Sequence, residues 1–123
     1  MIIRRDQRDA LAYGTYLSFE NRAVAWLEEH FPDDCALLRP NGTRLRLREA
    51  VQVAGRYGFQ SHREVIRFAY LWFLLGRNFD VSPEYGWLRN MLRRSAIPAE
   101  ARMAQAFEAL ASHIELNSGK STR

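Results

Sequence analysis

Few side chains in this sequence have the types and the spacing that chemistry needs. The three histidines, His30, His62 and His113, lie far apart, and no His-Glu-x-x-His motif or cysteine pair gives the spacing of metal ligands. The single cysteine, Cys35, follows two aspartates, whose negative charges raise the pKa of its thiol and lower its reactivity. We therefore predict no catalytic residue, no metal site and no cofactor, and we expect that the protein is not an enzyme.

One stretch near the C-terminus imitates a phosphate-binding motif. The letters SGKST at 118–122 match the end of a P-loop, but the P-loop requires a glycine five residues before Gly119, where this chain has Ile114. The motif also needs a strand before it and a helix after it, and the sequence predicts neither. We interpret the match as chance.

The composition is that of one globular domain with a basic balance. The chain has 123 residues, of which 47% are hydrophobic and 26% are charged, and its net charge is +4. Because arginine makes up all the basic residues except Lys120, the charge by itself does not distinguish phosphate binding from a genomic bias. The most apolar run, residues 65–75, is interrupted by Arg67 and is shorter than the roughly twenty residues that a membrane span needs. We expect a cytoplasmic protein without a membrane span.

The pattern of apolar residues, turns and caps predicts an all-α fold. Pro32 and the turn at 39–42 (RPNG) interrupt the helical pattern, Gly58 suits a helix C-terminus, and Ser61 with Glu64 forms a capping box. The predicted helices are one over residues 6–30, a second that Asn41 or Thr43 caps and that ends at residue 57, and a third over 61–75. A short helix capped by Ser82 and a helix that Pro98 opens follow. We predict a single compact bundle of about five helices with a buried central helix over 61–75, one domain over 1–116, and a disordered tail over 117–123.

A helix-turn-helix DNA-binding protein is the alternative that the sequence leaves open. Residues 43–75 place a tight turn between two helices, with Ala54 and Gly58 at the spacing that the motif prefers. Nearby positive charge comes from Arg44, Arg46, Arg48, Arg56 and Arg63. However, the second helix is apolar nearly all round, whereas a helix in the major groove exposes polar side chains. A nucleic acid partner is therefore disfavoured.

Arg67 is the one charge within the apolar run. One interpretation places it at the edge of the helix, paired with Glu64 one turn earlier. The other makes it an anchor for a carboxylate of a protein partner, because arginine is enriched at interface hot spots.

Several stretches resemble a group of small bacterial proteins that are encoded beside type VI secretion spike, spike-tip or effector genes. The resemblance is carried by RYGFQSHREVIRFAYLWFLLGRNFD at 56–80, WLRNML at 87–92 and IPAEARM at 97–103, and extends to MIIRRDQRDAL and WLEEHFP nearer the N-terminus. The shared positions are Arg56–Tyr57–Gly58, Ser61, Leu75–Gly76, Phe79–Asp80 and Trp87. These positions are structural, and no catalytic residue carries over.

The resemblance implies a non-enzymatic accessory protein that binds a secreted effector or spike component, as an adaptor, a chaperone or an immunity protein. Buried aromatic residues would supply affinity and arginines would supply orientation. The candidate partner-binding residues are Arg44, Arg48, Arg67, Tyr70, Phe73 and Trp87. Whether the chain also forms a homo-oligomer is left open.

Overall fold

The computed structural model describes the backbone of residues 2–121 and the side chains of residues 16–115. The helices are α1 (Ile2–His30), α2 (Pro32–Arg56), α3 (His62–Leu74), α4 (Gly86–Leu92) and α5 (Ala99–Ser121), with two 3-10 turns at Phe79–Val81 and Pro83–Tyr85. The described backbone contains no strand. The predicted all-α fold with five helices is confirmed.

The first two helices meet at a proline, and the second is bent at its own proline. Pro32 opens α2, where a missing N–H costs nothing, and Asp33 and Asp34 lie in its first turn, where the helix dipole favours negative charge. Arg39, with φ of 64° and ψ of 169°, interrupts the helix immediately before Pro40. A residue before proline is pushed out of the helical conformation. The predicted turn at 39–42 is a one-residue break, and helix resumes directly after it, before either predicted cap, Asn41 or Thr43.

The chain forms two compact units. Unit 1 is Met1–Glu49 and unit 2 is Ala50–Arg123, so α2 contributes to both. In unit 1 the buried apolar side chains belong to α1 and α2 and are Phe19, Ala23, Val24, Leu27, Cys35 and Leu47. That residues 1–116 fold as one domain stays a prediction.

Unit 2 is built around α3. Its buried side chains are Val65, Phe68, Ala69, Leu71, Trp72 and Phe73, as the sequence predicted for a central helix. The ring of Phe68 lies about 6 Å from those of Phe59, Trp72 and Phe79, with centroid distances of 6.1, 5.8 and 5.6 Å. These rings form the aromatic centre of the unit.

The helices of unit 2 have defined directions along α5. Arg63 lies beside Glu100 and Tyr70 beside Phe107, so α3 and α5 run in the same direction. Trp87 lies beside His113, whereas the later Leu92 lies beside the earlier Arg102, so α4 runs opposite to α5.

Two local signals define the turn between α2 and α3. Gly58 has a φ of +86°, and the N–H groups of Gly58 and Phe59 donate to the carbonyls of Gly55 and Ala54. This is a Schellman motif, which needs a left-handed residue at the position of Gly58. The N–H of Glu64 donates to the Ser61 hydroxyl at 3.3 Å, as the predicted N-cap requires.

Two predicted boundaries differ from the structure. Ser82 and Pro83 open a 3-10 turn, without a side-chain cap, and α4 begins only at Gly86. Proline at the first position suits both an α-helix and a 3-10 helix, so the sequence does not distinguish between the two at this point. Helix α5 continues to Ser121, whereas the sequence predicts a disordered tail over 117–123.

Candidate interaction site

Two of the predicted partner-binding arginines are held inside unit 1 by a buried carboxylate. Arg48 donates from Nε to Oε2 of Glu20 and from Nη2 to Oε1, both at 2.9 Å, and Arg44 donates to Oε1 at 2.5 Å. The Glu20 side chain is fully buried, whereas Arg44 and Arg48 keep 32% and 48% of their side chains exposed. The arrangement joins α1 to α2, which gives both arginines a structural role.

The pKa values of Glu20 and Tyr16 are both shifted in this cluster. Hydrogen bonds from Arg48 lower the pKa of Glu20 to about 2, against the opposing effect of burial, and bonds from Arg44 and Tyr16 lower it further. Burial raises the pKa of Tyr16 to about 12, and the hydrogen bond of its hydroxyl to Glu20 adds to the rise. Glu20 therefore stays ionised and Tyr16 stays protonated at neutral pH.

A second buried carboxylate lies in unit 2. The Tyr57 hydroxyl donates to Oδ2 of Asp80 at 2.7 Å, and Arg89 hydrogen bonds the same hydroxyl. Burial raises the pKa of Tyr57 to about 12, with a further contribution from Asp80. The raised pKa keeps the Tyr57 hydroxyl protonated at neutral pH, so that it can donate to Asp80. This hydrogen bond ties the end of α2 to the first 3-10 turn.

Arg102 is a buried cation bound by backbone carbonyls. Its Nη1 donates to the carbonyls of Tyr57 at 2.7 Å and Leu92 at 2.6 Å, and its Nε donates to that of Ile97 at 2.9 Å. Its guanidinium also lies over the Phe59 ring, with Cζ 4.9 Å from the centroid. Tyr57 and Leu92 stand at the C-terminal ends of α2 and α4, where helix dipoles favour positive charge. Arg102 thus joins two helix ends to the start of α5.

The lone cysteine is buried in unit 1. Burial is the main cause that raises the pKa of the Cys35 thiol, and the negative charges of Glu28 and Asp34 add to it. The direction agrees with the sequence prediction, although burial was not foreseen as the main cause. Among the described side chains, no group of three or more histidine, cysteine or acidic residues is placed to hold a metal ion. No described helix is long and apolar enough to span a bilayer.

An apolar surface lies where α3 and α5 run side by side; we call it the α3–α5 face. Its residues recur at helical spacing and are Arg67, Tyr70 and Leu74 of α3 with Ala104, Phe107, Ala111 and Ile114 of α5. Tyr70 and Phe107 are half-buried, with ring centroids 5.9 Å apart. Leu74 and Ile114 are 41% and 46% exposed. The ion pair between Arg63 and Glu100, at 3.7 Å, marks the start of this face.

The two helices have different lengths, which explains why the apolar stripe of α5 is exposed at its end. Met103 and Leu110 are buried, and Ile114 follows them on the stripe that the sequence shows. Helix α3 ends at Leu74, whereas α5 continues to Ser121. Ile114 therefore keeps an apolar side chain in contact with water.

The remaining predicted partner-binding residues fall in different environments. Arg67 is half-buried on the α3–α5 face and makes no ion pair with a described side chain, so the predicted pair with Glu64 does not form. Tyr70 lies on the same face. Phe73 is buried, with 6% exposure, and therefore belongs to the core. Trp87 is half-buried on α4 with its ring 5.1 Å from that of His113.

Two important residues, Glu20 and Arg102, were not singled out from the sequence. Glu20 lies between Leu17 and Val24 on the apolar stripe of α1. A charged residue at such a position indicates a buried ion pair, so the sequence could have revealed it. Arg102, next to Met103 at the start of the α5 stripe, offers no comparable sign.

Comparisons with known proteins place this chain in no group. No protein-family profile matches the sequence, and neither the curated proteins nor the solved structures contain a significant match.

Proposed function

We propose that the protein is a non-enzymatic accessory protein that binds another polypeptide through the α3–α5 face. Following the sequence resemblance, we propose that this polypeptide is an effector or spike component of a type VI secretion system, bound in the cytoplasm. The observation that carries the proposal is the exposure of Leu74 and Ile114 beside the half-buried rings of Tyr70 and Phe107.

The composition of this face fits the recognition of a protein. Interface cores are apolar and rich in aromatic residues, and affinity comes from burying such side chains in a partner. Leu74 and Ile114 have apolar surface left to bury, and the exposed alanines Ala104 and Ala111 allow close approach of a partner helix. Arg67, which makes no ion pair with a described side chain, is available for a carboxylate of the partner and would fix its orientation.

The helix-turn-helix alternative has less support. The turn with Gly58 and the Ser61 cap has the expected local geometry. However, α3 buries six of its side chains within the protein, and the half-buried side chains of Ile66 and Tyr70 give it no continuous polar stripe for base contacts.

The proposal is tested by recovering the partner from native cytoplasm. Tagged wild-type protein is used at moderate salt, and bound polypeptides are identified by mass spectrometry. We expect an effector or spike polypeptide in an amount near that of the bait. The double variant Leu74→Glu/Ile114→Glu should lose this polypeptide, because charges on the face oppose its burial.

A matched control uses the two exposed leucines of unit 1. Leu37→Glu/Leu45→Glu makes the same chemical change on largely exposed side chains and should retain the partner. Equal loss in both double variants would show that the α3–α5 face is not the binding surface. Recovery of nucleic acid alone, released at high salt, would overturn the proposal in favour of DNA binding.

A further inference from the structure

Four exposed arginines of unit 2 belong to the chain segments whose ends Arg102 joins; we call them the arginine face. They are Arg56 in the last turn of α2, Arg89 in α4, and Arg93 and Arg94 directly after α4. A single nitrogen of Arg102 binds the carbonyls of both Tyr57 and Leu92, which are the neighbours of Arg56 and Arg93 in the sequence. The backbone segments that carry Arg56 and Arg93 therefore lie close to each other. Arg89 lies one helical turn before Arg93, whose N–H donates to the Arg89 carbonyl at 3.0 Å.

The arginines of this face lie outside the ion pairs that the described residues make. None of the four makes an ion pair with a described side chain, and the ion pair described in unit 2 uses Arg63 and Glu100. By sequence, unit 2 contains ten basic and six acidic residues, whereas unit 1 contains eight of each. The net charge of +4 therefore lies in unit 2, and the buried Arg102 adds a fifth guanidinium beneath the arginine face.

The surroundings of the arginine face distinguish between two kinds of anionic partner. A protein interface requires an apolar centre, whereas a surface that binds nucleic acid is polar and positively charged. The other exposed side chains between Arg89 and Ile97 are polar or small, namely Asn90, Ser95 and Ala96. The large exposed apolar side chains described in unit 2 are Leu74, Val81 and Ile114. Leu74 and Ile114 belong to the α3–α5 face, and Val81, next to Asp80, is a single apolar side chain.

We propose that the arginine face binds the phosphate backbone of nucleic acid without reading its sequence. Guanidinium groups pair with phosphate oxygens in two-pronged hydrogen bonds, and such contacts fix position but carry no base specificity. This binding differs from a helix-turn-helix because it needs no helix in the major groove. It does not rest on the proposed function, since the arginine face and the α3–α5 face are made of different residues.

The test measures binding of a short, mixed-sequence, fluorescent DNA duplex by anisotropy at increasing salt. Four phosphate contacts predict a slope of about −3.6 in log affinity against log salt, so that affinity falls about a hundredfold between about 50 and about 200 mM. In Arg93→Gln/Arg94→Gln, the slope should weaken by about 2 and affinity at low salt should fall about tenfold or more. Arg56→Gln provides a second, single-charge variant, and circular dichroism checks that each variant is folded.

A control with the same loss of charge separates the arginine face from net charge. Arg22→Gln/Arg39→Gln removes two exposed arginines of unit 1 and should change affinity by no more than about twofold. Equal weakening by both double variants would overturn the inference, as would the absence of duplex binding at low salt. Tighter binding of poly-glutamate than of the duplex at equal charge would assign the face to acidic polypeptides and would also overturn it.

Discussion

Replacing Glu20 with glutamine tests whether an ion pair stabilises unit 1. Glutamine keeps the size of the side chain and one carbonyl oxygen but removes the charge that Arg44 and Arg48 bind. The variant leaves two guanidinium groups next to a buried neutral amide, and one of their acceptor oxygens becomes an NH₂ group. We expect a folded protein with a lower free energy of unfolding.

The magnitude follows from the pKa of the carboxyl. A fall from 4.5 to about 2 corresponds to roughly 3 kcal/mol of preference for the charged form in the folded state. Since both arginines are partly exposed, water and salt reduce this preference, and we expect the Glu20→Gln variant to lose about 2 kcal/mol at neutral pH.

The pH dependence has a definite sign. Because the pKa of Glu20 is lower in the folded than in the unfolded state, its stabilising contribution is fully present above about pH 4.5. That contribution is lost as the pH falls through about 2. Other carboxyl groups titrate in the same range, so the useful quantity is the difference between wild type and variant, which should shrink toward zero as the pH approaches 2.

The assay is urea unfolding followed by far-ultraviolet circular dichroism at several pH values from neutral to strongly acidic. Glu28→Gln, which changes an exposed carboxyl of the same helix, is the control and should change stability by less than about 0.5 kcal/mol. A Glu20→Gln variant as stable as wild type at neutral pH would refute the reasoning. So would a stability difference that is the same at pH 7 and pH 2.5.

Four further substitutions concern unit 2, and the effect of each on stability is measured by the same unfolding assay. Arg102→Met should cost about 3 kcal/mol, because it leaves three carbonyls without their donor, and a loss below about 1 kcal/mol would contradict this role. Gly58→Ala should cost about 1 kcal/mol through its φ of +86°, since the added Cβ would meet only Nη2 of Arg102 at an ordinary 3.6 Å. The same change at Gly55, where an added Cβ would meet no atom within 4 Å, should stabilise the helix by about 0.5 kcal/mol. Stability changes of the same sign in the two glycine variants would contradict this explanation. Tyr57→Phe should cost about 1–2 kcal/mol by removing the donor to Asp80, and its ultraviolet titration should lack one tyrosine that ionises near pH 12. If wild type and Tyr57→Phe showed the same change in absorbance near pH 12, the hydrogen bond assigned between Tyr57 and Asp80 would be ruled out.

The local features of the fold followed from the sequence because they depend on neighbouring residues. Gly58 and Ser61 define the turn between α2 and α3 through backbone conformation and a cap three residues away. The apolar run of α3 predicted a buried helix because a helix that is apolar on most sides has to be covered. Pro40 excludes the helical conformation at Arg39 and so accounts for the break there, although not for the positive φ of Arg39.

The sequence did not predict the polar groups that join distant segments. Glu20 binds Arg44 and Arg48, and Arg102 binds carbonyls of residues far from it in the chain. Such partners are brought together by tertiary packing, so no periodicity or spacing in the sequence indicates them. For the same reason two of the arginines chosen as partner-binding residues are internal ligands of Glu20. The division into two units was also hidden, because α2 crosses the boundary without a linker-like segment.

The shared direction of α3 and α5 has a consequence for the order in which the chain acquires its structure. Antiparallel neighbours can pair as soon as a short loop has formed, but parallel neighbours require the intervening chain to return to the starting end. Here residues 75–98 make that return, and α5 also supplies Arg102, which completes the ends of α2 and α4. During synthesis, α3 therefore leaves the ribosome with its aromatic side chains uncovered by α5, and it stays so until α5 has been made. Such contacts between distant segments slow folding relative to simple helical hairpins, and the newly made chain is exposed to aggregation during this interval.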